Sequence, residues 1–239
     1  MTALAPDPLV VLVTGATGDT GRAVVSAFAA DGARLGLVGR SVERLTEVAV
    51  EAGLTEDRWA VGIGDLVTRE EARAAVGSVV AHFGRIDAWL HLVGGWSGGT
   101  PVVDLDPAEL RSMLDQHLWT TLNVAQAVVP GMLERGWGRV VAVSTPFALT
   151  PGPRGSSYAI SKGAEDLLIR GLAREVGGTG VTANLVVVKA IDAAHERETA
   201  PTSKNASSTT PEEIAATLRH LCTDAAAAIN GARVPLDGR

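Results

Sequence analysis

Short runs of β-branched and aliphatic residues alternate along the chain with longer stretches in which apolar positions recur at helical spacing. Residues 9–14, 34–38, 59–63, 88–93, 139–144, 181–188 and 231–236 are brief and nearly continuously apolar, the pattern of strands covered on both faces. Helical periodicity runs through 21–31, 42–53, 68–83, 107–135, 156–177 and 211–223, and 107–135 is long enough for two helices. Strand and helix alternating from end to end build parallel β-α-β units. The predicted fold class is therefore α/β: a doubly wound parallel sheet of about seven strands with helices on both faces, a three-layer sandwich, formed by one domain over 1–239.

The last helix has the most explicit start. Thr210 can cap it, Pro211 suits its first turn, and Glu213 stands three residues after the cap, so orphan amides are satisfied from both directions. Just before it, residues 199–210 are rich in Ser, Thr, Pro and Asn, too polar to be ordered by burial and therefore predicted as a mobile loop. It reads either as part of a substrate lid over 191–210 or as a plain surface loop. Residues 1–8 read as a lead-in without structure.

Composition narrows the function. The chain has 239 residues, 46% hydrophobic and 20% charged, with a net charge of −6, so neither nucleic-acid phosphates nor an anionic membrane would attract it at long range. The expected partner is a small-molecule substrate. Cys222 is the single cysteine, which excludes an intrachain disulfide and a cysteine metal site, fits a cytoplasmic location, and reads as a buried small residue. The histidines lack metal-ligand spacing, so no metal is expected, and no run approaches the length of a membrane span.

The first predicted strand runs into Thr14-Gly15-Ala16-Thr17-Gly18-Asp19-Thr20-Gly21 and then into a helix. Glycines there let the backbone approach a pyrophosphate, whose charge meets the amides of a helix N-terminus. The strand-turn-helix context makes this a Rossmann-type dinucleotide loop. It resembles the Thr-Gly-x-x-x-Gly-x-Gly loop of the short-chain dehydrogenase/reductase family, with Asp19 where that pattern has its middle glycine. A carboxylate beside a pyrophosphate repels it unless Asp19 turns away to cap the helix; alternatively the glycines read as Gly15-x-x-Gly18-x-x-Gly21. After the second strand, Arg40 stands where an acid would bind the ribose hydroxyl of NAD. An arginine there matches the 2′-phosphate, so NADP(H) is preferred over NAD(H), the other reading being a surface ion pair with Glu43 or Glu47. The resemblance puts Asp65 and Leu66 at the adenine.

Tyr158-Ala159-Ile160-Ser161-Lys162 is the strongest chemical signal. Residues four apart share a helix face, and a nearby cation favours the phenolate of a tyrosine, making it a usable acid-base group. The family resemblance implies that Tyr158 exchanges a proton with a carbonyl or alcohol while hydride moves to or from nicotinamide, and that Lys162 also holds the nicotinamide ribose. A hydroxyl should orient the reacting oxygen. Ser144 stands fourteen and Thr145 thirteen residues before Tyr158; residue type points to Ser144 and family spacing to Thr145. The family's relay asparagine falls on His117, either a relay and proton shuttle or a helix residue without a catalytic task.

Three further segments complete the resemblance, which spans essentially the whole chain to the closing segment 230–238. His91-Leu92-Val93-Gly94 replaces the family's Asn-Asn-Ala-Gly, with Val93, Gly94 and Gly95 lining the cofactor. The Pro-Gly after strand six is absent; Val188-Lys189-Ala190-Ile191-Asp192 stands instead, with Ile191 where the backbone would meet the carboxamide. Trp96 and Phe147 read as contacts to an apolar, bulky and possibly biosynthetic substrate, or as loop packing. The reading is an NADP(H)-dependent carbonyl reductase or alcohol dehydrogenase, assembled as a homo-oligomer, a dimer or tetramer, with Trp119, Leu122 and Leu168 as interface or core. Asp19, His117 and the missing Pro-Gly motivate the alternative of a diverged member with non-redox chemistry, such as a cyclase, dehydratase or isomerase, or a cofactor-sensing role.

Overall fold

A computed structural model describes residues 6–237; the first part of the predicted lead-in, residues 1–5, and the end of the closing segment lie outside the described residues. The elements follow in the order β1 (Val10–Thr14), α1 (Asp19–Ala30), β2 (Arg34–Gly39), α2 (Val42–Glu51), β3 (Trp59–Ile63), α3 (Arg69–Phe83), β4 (Ala88–His91), α4 (Pro107–Leu114), α5 (Thr120–Arg135), β5 (Gly138–Ser144), α6 (Ser156–Glu175), β6 (Val181–Val188), α7 (Glu196–Thr199), α8 (Pro211–Leu221) and β7 (Arg233–Leu236). Their strands form one parallel sheet in the order β3-β2-β1-β4-β5-β6-β7. Strand order reverses between β1 and β4, and such a reversal opens a crevice at the carboxyl ends of the strands.

The continuous apolar runs are explained by two cores. On one face Val11, Val13, Leu35, Leu37 and Leu90 pack with Phe28 of α1, Leu45 of α2 and Leu218 of α8. On the other Leu12, Trp89, Val140 and Leu185 pack with Val79 of α3, Val128 of α5 and Ile169 of α6. Alternate residues of each strand serve opposite cores, which fixes register strongly: a slip by one residue would exchange the two sets.

The reciprocal cap predicted for α8 is present, with the Glu213 amide donating to Thr210 Oγ1 at 3.3 Å and the Thr210 amide to Glu213 Oε2 at 2.9 Å. Several boundaries differ from expectation. β4 ends at His91 rather than Val93: the Leu92 amide still reaches Thr14, and the chain then turns away. β7 begins at Arg233 because Gly231, with φ of 74°, turns the chain before it. The stretch 107–135 holds two helices joined by a π-helical turn, Asp115–Trp119, instead of a loop. Asp19 does not cap α1: Gly18 is the cap residue, without a side-chain bond, and Asp19 is an exposed first-turn residue. There it favours the helix dipole but leaves its charge at the loop.

The polar segment before α8 supplies its own framework. Asp192 accepts from the amides of Glu196 and Arg197, each at 2.8 Å, and Arg197 forms a two-pronged pair with Glu213 at 2.8 and 3.1 Å. Ile191 and Thr209 form a bridge, and Thr209 Oγ1 donates to the Leu236 carbonyl at 2.9 Å. Side-chain hydrogen bonds, which a burial argument leaves out, give this segment a defined course.

Candidate active site

The carboxyl ends of β4, β5 and β6 enclose a cavity of about 330 Å³. Gly94, Gly95 and Trp96 form one wall, Val143 and Ser144 the floor, Tyr158 and Lys162 of α6 a second wall, and Val188, Lys189, Ala190 and Ile191 a third. A larger and more open depression of about 380 Å³ at the β3 edge, lined by Glu56, Trp59, Ser78 and His82 among others, brings together no comparable set of acid-base groups. Lys189, whose charge the sequence left without a task, donates to Ser207 at 2.9 Å.

The two candidate hydroxyls separate cleanly. Ser144 is buried, lines the cavity, and its Oγ has no hydrogen-bond partner. Thr145 instead uses its Oγ1 to accept from the Phe147 amide at 3.4 Å, capping the 3-10 turn Pro146–Ala148. A buried hydroxyl left unpaired is costly unless something else binds it, and of the two only Ser144 has its hydroxyl unpaired and lines the cavity. The Phe147 ring stands edge-on to Tyr158 with centroids 6.3 Å apart, while Trp96 is 68% exposed at the cavity mouth.

Lys162 is held from two sides, donating to the Val143 carbonyl at 2.9 Å and to Glu165 Oε2 at 2.6 Å. Glu165 is fully buried, and its other oxygen accepts from Thr121 Oγ1 at 3.3 Å and lies 3.8 Å from His91 Nε2. His91 Nδ1 in turn lies 2.8 Å from the Thr14 hydroxyl, which also accepts from Trp89. Thr14 thus directs its side chain into the sheet rather than toward the phosphate loop. Burial pushes the Glu165 carboxyl up, against the attraction of Lys162, and burial followed by the Lys162 charge holds His91 well below the ordinary histidine range.

His117 sits in the π turn, buried beside Tyr158 with ring centroids 5.6 Å apart. The Gly95 amide donates to its Nε2 at 3.3 Å, so Nδ1 carries the proton and faces the Met113 carbonyl at 3.0 Å and Ser161 Oγ at 2.9 Å. Burial, and then the Lys162 charge, lowers its pKa to about 3. The ring is therefore neutral near pH 7 and holds the Gly95 backbone at the cavity wall. Gly94 is required here: a Cβ would approach His117 Nε2 to 2.9 Å and Lys162 Nζ to 3.6 Å.

At the β1 end, Gly15 takes φ of 85°, and a Cβ there would meet the Leu92 carbonyl at 2.7 Å. Gly21 packs directly on the Gly15 carbonyl, and Thr17 and Thr20 are half-buried around exposed Gly18 and Asp19. Arg40 is exposed at the end of β2; no ion pair engages it among the described residues, while Arg22 pairs with Glu47 and Glu51. Asp65 is exposed and braces its own turn by accepting from the Val67 amide at 3.1 Å; Leu66 is buried, with its carbonyl bound by Asn123 at 3.0 Å. Asp65 and Arg40 lie at the carboxyl ends of neighbouring strands, apart from the residues that line the cavity.

A doubly wound sheet with a glycine loop after β1 and a tyrosine-lysine pair facing a crevice defines a class of dinucleotide-dependent enzymes, and comparison with known proteins agrees. The short chain dehydrogenase family model matches residues 9–204. The chain is similar to D-threitol dehydrogenase of Mycolicibacterium smegmatis, 32% identical over 97% of this chain and 92% of that protein. It is also similar to the short-chain reductase protein NovJ of Streptomyces niveus, 32% identical over 96% and 92%. A short chain dehydrogenase from Bacillus anthracis superposes with a TM-score of 0.86 at 27% identity, covering 97% of this chain and 95% of that one. The chain belongs to the short-chain dehydrogenase/reductase family of oxidoreductases, whose members bind NAD(P) and act on small molecules. Among the described residues no helix is long and apolar enough to cross a membrane.

Glu165 and His91 escaped assignment to the site from the sequence. Glu165 follows Lys162 by three positions, a spacing that ordinarily marks a surface ion pair. The available signal was register: Ala159, Lys162, Ile169 and Ala173 lie on the buried face of α6, and Glu165 falls among them.

Proposed function

We propose that the protein is an NADP(H)-dependent carbonyl reductase or alcohol dehydrogenase in which Tyr158, Lys162 and Ser144 carry the proton chemistry. The observation that carries this reading is the unpartnered Ser144 hydroxyl in the cavity that Tyr158 and Lys162 also line. A carbonyl oxygen entering the cavity gives Ser144 the partner it lacks and lies within the reach of the Tyr158 phenol. In reduction Tyr158 gives its proton to that oxygen as negative charge develops there; in oxidation the phenolate takes the alcohol proton. Lys162 supports the phenolate by its charge. When bound, a nicotinamide dinucleotide supplies or accepts the hydride. The amides of the α1 N-terminus, left free by the glycine cap, fit its pyrophosphate, Lys162 its ribose hydroxyls, and the backbone around Gly94 and Ile191 its nicotinamide. His117 orders this wall through Gly95. The two similar proteins, D-threitol dehydrogenase and the reductase NovJ, are compatible with either direction.

The exposed, unpaired Arg40 supports a preference for NADP(H), because a guanidinium meets the 2′-phosphate in charge and geometry. The segment 191–210, which contributes Ile191 to the cavity wall, acts as the substrate lid, and Trp96 and Phe147 favour an apolar substrate. Exposed Trp119, with half-buried Leu122 and Leu168, suits an interface between copies of the chain. Titration with NADPH and NADH, followed by tryptophan quenching, tests the cofactor assignment. NADPH should bind at least about tenfold more tightly, and Arg40→Ala should remove the difference, a charge-assisted bond being worth roughly 1.5–3 kcal/mol. Equal affinities in the unaltered protein would contradict the assignment.

A further inference from the structure

Beside the cavity, one acidic side chain has no place in the chemistry described above. Glu165 is buried on α6, one helical turn after Lys162. Each of its oxygens has a partner: Oε2 accepts from Lys162 Nζ at 2.6 Å, and Oε1 from Thr121 Oγ1 at 3.3 Å, with His91 Nε2 3.8 Å away. We propose that Glu165 is a positioning residue of the active site: its buried carboxylate fixes Lys162 in the cavity wall and sustains the ammonium charge there. The proposal rests on the reading of Tyr158 and Lys162 as the acid-base pair, and adds a group that nothing in the family motif requires.

The charge pattern around Lys162 carries the argument. The ammonium is largely buried, so its charged form needs compensation from the protein. Val143 provides a carbonyl at 2.9 Å, a dipole without net charge. From β4 His91 faces the pair, and from the π turn His117 reaches Lys162; both rings are held neutral by burial and by the lysine itself. From α5 the Thr121 hydroxyl lies 3.3 Å from Glu165 Oε1 and shares its proton with the His117 carbonyl at 2.5 Å. On α6 the neighbouring Asp166 is turned to Arg233 at 2.6 Å and Arg170 at 3.7 Å. Glu165 is thus the anion in contact with Lys162. Two donors fixed on Glu165 and Val143 leave the third ammonium proton for the cavity that Lys162 lines.

Lysine occurs three times, as Lys162, Lys189 and Lys204, so nitrogen-15 NMR of lysine-labelled protein gives few side-chain signals, assignable with Lys189→Arg and Lys204→Arg. In Glu165→Gln, which keeps shape and a hydrogen-bond acceptor, Lys162 should hold its proton about tenfold more weakly than in the unaltered protein. An unaltered Lys162 titration overturns the proposal. Should Glu165→Gln be too unstable to titrate, the double variant Lys162→Met/Glu165→Gln decides. It should be the more stable of the two because it removes the orphaned charge, and equal or lower stability overturns the proposal. Failure of the redox reading shows separately, as absent nicotinamide-dependent turnover with the Lys162 shift intact.

Discussion

Ser144 and Thr145 are adjacent hydroxyls in different surroundings. The chemistry of a single position depends on which way its side chain leaves the strand end, since consecutive residues of a strand face opposite sides. Ser144 lines the cavity unpaired, while Thr145 braces the next turn. Accordingly, Ser144→Ala should lower kcat about 100-fold with cofactor affinity unchanged, the effect of removing one donor at a developing oxyanion. Thr145→Ala should leave kcat within a few-fold and lower stability by about 1 kcal/mol through loss of the turn cap. Steady-state kinetics and denaturant melts check both, and the reverse ranking of kcat effects would assign the role to Thr145. Residue counting left these two open because an offset of one along the chain is invisible without the strand end. Spacing could likewise propose that Asp19 caps α1, but the cap falls to Gly18, which needs no side chain to adopt the extended geometry.

Among the elements, the legible ones are those whose signal is local. The strands read directly as apolar runs, β1, β4, β5 and β6 because they are buried on both faces while β3 and β7 at the sheet edges are only half-buried, and α8 reads from its cap because Thr210 and Glu213 satisfy one another within a single turn. The π turn at Asp115–Trp119 has no such signature: apolar periodicity passes through it, yet it is the segment that carries His117 inward. The end of β4 was equally opaque, since Leu92 and Val93 are good strand residues whose departure is dictated by the Gly15 turn packed against Leu92. In α6 the Tyr158 and Lys162 pair stood out because both residue types carry chemistry at a shared face. Glu165 did not, because only tertiary packing by β4 and α5 turns an ordinary helical acid into a buried counter-charge.

For the whole molecule, placing two neutral histidines and a buried ion pair under one crevice links stability to pH. The unfolded chain binds protons on histidine near pH 6.5, whereas folded His117 does so only at about 3 and His91 well below its ordinary range. Between those limits the unfolded state holds more protons, so stability is complete above pH 6.5 and falls on acidification, by about 1.4 kcal/mol per pH unit for each ring. Glu165, whose carboxyl is raised, acts in the opposite sense, one group against two. Denaturant melts from pH 7 to 5 should show this loss, and His117→Asn should make the slope shallower; a slope unchanged in the variant would contradict the burial argument. On the proposed function, the sheet, the two cores and the crevice hold Tyr158 where it would exchange a proton with a carbonyl or alcohol oxygen. The most direct test is nicotinamide-dependent turnover of a panel of ketones and secondary alcohols by the unaltered protein and by Tyr158→Phe. Turnover should fall about 1,000-fold in the variant, with the fold and NADPH binding retained; a Tyr158→Phe protein that turns over at the unaltered rate would rule out the assignment of Tyr158.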